Sequence, residues 1–238
     1  MTSRAIIPDD EAQRLEAVRR YDVLDSPPDG AFDRVTRLAS ALLDMPIAIV
    51  SVVDEDRIWF KARHGLDVEE VGRDAGLCAS AILQAETWVV SDAAVDPRAL
   101  ANPLVAGDFG LRFYAGAPLI TADGYRLGTV CVIDRKSREL PPHGEALLAD
   151  LAAIVVDELE LRLAARKLRE RYAERDQQAA ELNDDVVQGL AVAKLSLELG
   201  EHEQALHSVG SALDASKRIL DSLVEDARTL RRSEKARV

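Results

Sequence analysis

Cysteine is scarce: Cys78 and Cys131 are the only two, 53 positions apart. That spacing matches no metal-ligand pattern, and two cysteines in 238 residues do not make a disulfide framework, so free thiols are expected. Positive charge is in the minority, with 30 Lys and Arg against 42 Asp and Glu and a formal charge of -12. Such a surface repels phosphate backbones and anionic lipid, so neither nucleic acid nor membrane is expected as a partner. The locally basic stretch from Arg228 to Val238 is read as complementing the negative end of a helix dipole, or as fraying. Long apolar runs are missing too, and no window approaches the roughly 20 residues of a membrane span. Met1 to Ser26 holds six acidic and four basic residues with no apolar run, unlike a signal peptide. A soluble cytoplasmic protein is expected.

What is present falls into two textures. Asp9 to Tyr21 follows a helical period, with Leu15, Val18 and Tyr21 on one side, until Asp25-Ser26-Pro27-Pro28 breaks it. A second helical pattern, Phe32, Val35, Thr36, Leu38, Ala39 and Leu42, is expected to end at Pro46. The β-branched run Ile47 to Val53 reads as a buried strand, closed by Asp54-Glu55-Asp56, with Arg57 to Arg63 as its hairpin partner. Ala79 to Gln84 suggests one or two helical turns, Thr87 to Val90 a short strand, and Asp92 to Asn102 a loop. Arg112 to Ile120 and Arg126 to Ile133 read as strands around a turn containing Asp123-Gly124. Helices before and after an antiparallel sheet indicate an α+β fold.

Beyond Pro142 no proline occurs and the pattern stays helical. Leu147, Leu151, Ile154, Leu161, Ala165, Leu168, Tyr172, Ala179, Leu182, Val186 and Ala193 follow three- and four-residue steps, interrupted at Glu158, Arg175 and Gly189. This is a heptad seam. A helix from His143 to Leu199 would extend about 85 Å, longer than a globular core requires, so a partner helix is expected to cover the seam. The helix should stop near Gly200. From Glu203 a second pattern, Leu206, Val209, Leu213, Ile219, Leu220 and Leu223, persists to Leu230. Two such hairpins in a parallel homodimer would make a dimeric coiled coil and four-helix bundle.

The blocks Arg19-Arg20-Tyr21-Asp22-Val23-Leu24-Asp25-Ser26-Pro27-Pro28, Phe32 to Ala39, Ser51 to Lys61, Arg112 to Leu119 and Leu127 to Asp134 occur in order. Together they resemble GAF domains of bacterial phosphorelay sensors, over roughly Asp9 to Leu163. The resemblance implies a central antiparallel sheet flanked by helices, with a pocket on one face for a small ligand. It names no cofactor: the Asn-Lys-Phe-Asp-Glu signature of cyclic-nucleotide-binding members is missing. Chromophore-binding members usually carry a Cys-His pair, whereas this chain has Leu77-Cys78-Ala79-Ser80, with Ser80 where many relatives place histidine. His64 reads as a loop histidine. Trp59, Lys61, Cys78, Asp92, Phe113 and Tyr114 are the candidate ligand-binding residues, mixing aromatic walls with polar groups. The competing expectation is that Trp59, Cys78 and Phe113 fill the core while Lys61 and Asp92 are solvated. Oxidant sensing by Cys78 and Cys131 is weighed against the usual inertness of a thiol in an apolar strand such as Thr129-Val130-Cys131-Val132.

Glu181-Leu182-Asn183-Asp184-Asp185-Val186-Val187-Gln188-Gly189-Leu190, followed by Val192-Ala193-Lys194-Leu195, resembles the first helix of a histidine kinase dimerisation and phosphotransfer hairpin. In that class a histidine is the phosphoacceptor, and Asn183 stands in its place. An amide nitrogen has its lone pair delocalised into the carbonyl and is no nucleophile. No Gly-rich phosphate-binding loop follows, so autokinase activity is not expected. Asp184 and Gln188, at i and i+4, match an acid-to-glutamine pair that supports receiver dephosphorylation in the kinases it resembles. A carboxamide can orient water for in-line attack on an acyl phosphate. The alternative is that both are solvated positions on a dimer helix.

These readings divide the chain into a GAF sensor domain with an N-terminal helix (1–163), a coiled-coil linker (164–180) and a helical hairpin (181–238). The expected function is a non-catalytic dimeric sensor or adaptor that couples a GAF signal to a response regulator or partner histidine kinase. Glu158 and Arg175 are its expected weak points for a register shift, or simply fix register. A response-regulator phosphatase using Gln188 is the alternative, and a hairpin that only dimerises, with the partner on the GAF face, is a third.

Overall fold

The protein is described by a computed structural model that covers residues 7–100 and 102–235, with side chains at 182, 222, 223 and 225–235 outside that set. The side chains of the expected seam residues Leu182, Leu223 and Leu230, those of the basic stretch up to residue 235, and residues 236–238 altogether thus lie outside what is described. The chain forms two compact units, Met1–Ala164 and Ala165–Val238.

In the first unit, helix α1 (Glu11–Tyr21) and helix α2 (Gly30–Leu43) precede the sheet. Both helices end earlier than a proline would force. Asp22 and Asp44 each take a left-handed φ of 52°, and their N–H groups donate to the Arg19 and Ser40 carbonyls. Asp29 begins α2 by accepting from the Ala31 N–H at 2.9 Å.

Strands β1 (Ile47–Val53), β2 (Arg57–His64), β3 (Glu70–Gly72), β4 (Trp88–Val90), β5 (Phe113–Ile120) and β6 (Arg126–Asp134) form one sheet in the order β3-β2-β1-β6-β5-β4. Every neighbouring pair is antiparallel. Short helices α3 (Cys78–Ala81) and α4 (Pro103–Ala106) sit in the β3–β4 and β4–β5 connections.

Both faces of the sheet are covered, so β1 is buried at all seven positions. Alternation divides its residues between two cores. Ala48, Val50 and Val52 join α1, α2, Phe113, Ala115, Ala117, Leu127, Val130 and Val132 in a helix-side core. Ile47, Ile49 and Val53 join Ile58, Phe60, Leu77, Cys78, Tyr114 and Cys131 in a second core beneath α3 and α4. A bulge lies opposite the Val50/Ser51 step, where Val50 pairs with Ala62 and Ser51 with Phe60, leaving Lys61 as the extra residue.

Helix α5 (Gly144–Glu198) closes the helix-side core with Leu148, Leu151, Ala152, Val155, Val156, Leu159 and Leu163. The expected seam therefore splits: Leu151 is core, whereas Ile154, Leu161, Leu168 and Tyr172 are exposed.

In the second unit the remainder of α5 turns at Gly200, which has φ 81°, and helix α6 (His202–Lys235) returns. The Glu201 N–H donates to the Ser196 carbonyl at 2.8 Å and closes the end of α5. Small residues meet inside this hairpin. Ala193, Ser196, Ala205, Ser208, Ala212 and Ala215 are buried, and a methyl group on Gly189 would stand 3.0 Å from the Ala212 Cβ.

Candidate functional site

A bulge in an antiparallel strand re-aims the extra residue, and here it turns Lys61 toward the helix side of β2. Its Nζ donates to Ser26 Oγ and to the Pro27 carbonyl, both at 2.7 Å. The ammonium also lies 5.4 Å from the Phe32 ring centre and 5.7 Å from that of Trp59. Lys61 is 5% exposed, which corrects the expectation of a solvated lysine. Burial lowers its pKa, opposed by the charge of Asp29. Trp59 and Lys61 line an open groove of about 870 Å³ with Ser26, Asp33, Arg63 and His64 among its walls.

The other sequence candidates are elsewhere. Phe113 belongs to the helix-side core, and Tyr114, the next residue, necessarily points to the opposite face, into the second core with Cys78. Asp92 is half-buried in a loop, where its Oδ1 accepts from the Ala94 N–H at 3.1 Å as a turn-forming aspartate. The structure thus brings Trp59 to Lys61 and Cys78 to Tyr114, but does not gather the six around one cavity.

Around Cys78 the second core holds a polar cluster that the sequence did not announce. Cys78 Sγ and Cys131 Sγ are 3.9 Å apart, and both thiols are free. Ser51 Oγ and Thr129 Oγ1 share a hydrogen bond at 3.0 Å. The Tyr114 hydroxyl is buried with no hydrogen-bond partner among the described residues, and its ring centre lies 5.4 Å from that of Trp88. Burial drives the Tyr114 pKa well upward, reinforced by the charge a neighbouring thiolate would carry. Within the thiol pair, the hydrogen bond from Cys131 lowers Cys78 against the opposing effect of burial, and Cys131 is raised in turn.

A second feature missed by sequence reading ties α1 to the β1–β2 turn. Arg14, 1% exposed, donates to the Val53 carbonyl at 2.7 Å and forms two 2.8 Å bonds to Glu11. Arg73 reaches the same carboxylate at 2.5 Å and the Asp54 carbonyl at 2.9 Å. Burial alone would raise the Glu11 pKa, but its hydrogen bonds and charge pairing with both arginines hold it at about 2.

In the second unit Asn183, Asp184 and Gln188 are all exposed on α5. Among the described residues, no cluster of His, Cys, Asp or Glu is arranged to hold a metal ion, and no helix is long and apolar enough to cross a membrane.

A family model described as "GAF domain" matches residues 27–159. A cyclic di-GMP phosphodiesterase of Pseudomonas aeruginosa is 41% identical over 150 residues, which are 63% of this chain and 26% of that protein. The chain thus spans about a quarter of that relative's length. Two solved structures are similar in fold. The GAF domain of an Acinetobacter phosphoenolpyruvate-protein phosphotransferase has 15% identity and TM-score 0.48, covering 66% of this chain and 97% of its own. A free methionine-R-sulfoxide reductase from Neisseria meningitidis has 17% identity and TM-score 0.48, covering 69% and 99%.

Proposed function

The chain belongs to the GAF-domain family, and on that premise we propose that it is a dimeric cytoplasmic signalling adaptor without autokinase activity, passing the state of its GAF unit to a response regulator or partner histidine kinase. The observation that carries this reading is the distribution of apolar side chains in the second unit. Its two helices meet through glycine, alanine and serine, while Leu206, Leu213 and Leu220, seven residues apart on α6, are 74%, 54% and 62% exposed. Val187, Leu190 and Leu195 on α5 are exposed as well. A hairpin so arranged leaves a heptad stripe uncovered, and a second hairpin supplies the matching surface of a four-helix bundle.

Helix α5 supplies the link. Its first turns are core residues of the GAF unit and its later turns carry Asn183, Asp184 and Gln188 in the second. A change in packing around Leu148 to Leu163 thus acts on the same helix that presents the output residues. The 150-residue segment held in common with a much longer phosphodiesterase fits a module that serves different outputs.

The test is to titrate the full chain against purified receiver domains and histidine kinases of its own host by fluorescence anisotropy. Saturable binding that falls roughly tenfold or more in Asp184→Arg supports the reading. Binding by none of them sinks it. The exposure of Asp184 and Gln188 one helical turn apart favours a second reading, removal of phosphate from a bound receiver. Equal decay of the receiver aspartyl phosphate with the parent chain and with Gln188→Ala would exclude it.

A further inference from the structure

From the second core we propose that Cys78 and Cys131 form a reversible dithiol/disulfide site, oxidised by a small hydroperoxide and reset by a dithiol reductant. The two sulfurs are 53 residues apart in sequence and in contact in space, at 3.9 Å. Exposures of 5% and 0% remove them from alkylating agents and large disulfides in the closed fold, while a molecule as small as a hydroperoxide needs little opening. The elements that carry them are held differently. Cys131 lies in the middle of β6, paired with Ile49 on one side and Gly116 on the other. Cys78 begins the four-residue helix α3, which follows a 3-10 turn at Arg73–Ala75. Closing from contact to a bond of about 2.05 Å requires an approach of roughly 2 Å, which falls to α3 because β6 is held by ladder hydrogen bonds on both sides.

The surroundings favour the chemistry. Ser51, Thr129 and Tyr114 supply hydroxyls around the sulfurs, and the Tyr114 phenol has no hydrogen-bond partner among the described residues. Gly116 leaves the space this phenol fills, because a Cβ there would collide with it. The first step is attack of the Cys78 thiolate on a peroxide oxygen, which breaks the O–O bond and gives a sulfenic acid and hydroxide (alkoxide from an organic hydroperoxide). Cys131 sulfur then attacks the sulfenic sulfur and expels hydroxide, and the two thiol protons convert the leaving oxygens to water, or to water and alcohol. Two thiols lose two electrons in total, and the peroxide gains them. The bond joins α3 to the centre of β6. Its use as the input of the adaptor rests on the function proposed above, but its formation does not.

The test uses the full chain, reduced and then treated with hydrogen peroxide, denatured, alkylated with iodoacetamide and measured by mass spectrometry. The expected result is loss of both alkylation adducts, a mass lower by two hydrogens, a peptide linking Cys78 to Cys131, and recovery of both adducts after dithiothreitol. In Cys131→Ser, oxidation should stop at a sulfenic acid on Cys78 that dimedone traps. Two alkylatable thiols after peroxide treatment, over-oxidised cysteine without a cross-link, or a bond only between two chains would each overturn the proposal. Formation of the internal bond with no change in receiver or kinase binding would leave the site standing and remove it as the adaptor's input.

Discussion

At Gly116 a methyl group would run into the Tyr114 ring and hydroxyl, since residues two apart on β5 share a face. Gly116→Ala is expected to cost about 1–3 kcal/mol, the range for overfilling a packed interior, measured as a shift in urea midpoint. Gly72→Ala is the control: nothing stands near that position, and its effect should stay within about 0.5 kcal/mol. Glu11 makes a different residue-scale prediction. Its folded pKa of about 2 is depressed from 4.5. A depressed carboxyl contributes stability that is present above the unfolded pKa and disappears as pH falls through the folded one. Replacing it with glutamine should therefore remove the part of the acid sensitivity that lies between about pH 4.5 and 2, seen in thermal midpoints recorded across that range.

Elements with a strong local pattern were legible. The run of seven at Ile47–Val53 is a strand with the bounds its β-branched residues suggested, and the paired strands around Asp123-Gly124 are present. The three residues of β3 and the four of α4 are too short to carry a period, which is why neither was foreseen. The ligand-site candidates failed to converge for a reason already in the sequence: Phe113 and Tyr114 are neighbours on a strand and face opposite cores. The approach of Cys78 to Cys131 had no local signal, because it depends on α3 folding over β6. In α5 and α6 the heptad reading found an apolar stripe and expected a partner to cover it, but did not foresee what lines the contact between the two helices. The leucines face outward because glycine, alanine and serine let the helices approach closely inside. Ala212→Leu, directed at the Gly189 contact, should weaken the hairpin by about 1–3 kcal/mol, read as earlier loss of helical circular dichroism. Substitution at Leu213, the adjacent exposed position, should leave the pairing of α5 with α6 intact.

For the whole molecule, the outward leucines make association the quantity to measure. Leu206 and Leu213 stand one heptad apart on the uncovered stripe, and burying each is worth roughly 1.5–3 kcal/mol. A dimer with both residues replaced by glutamate loses this at four positions, and it gains carboxylates facing carboxylates. The dissociation constant should then rise by at least about a thousandfold, since 1.4 kcal/mol corresponds to a factor of ten. Sedimentation equilibrium should give twice the chain mass of 26.0 kDa for the parent protein and a single chain mass for the double variant. Val95→Glu, at an exposed apolar position of the GAF unit and not one of the heptad positions, should leave the dimer unchanged. If the parent sediments as one chain, the stripe serves a different partner and the two-hairpin bundle is wrong. If the double variant stays dimeric, the contact lies instead on the exposed positions Ile154, Leu161 and Leu168 of α5.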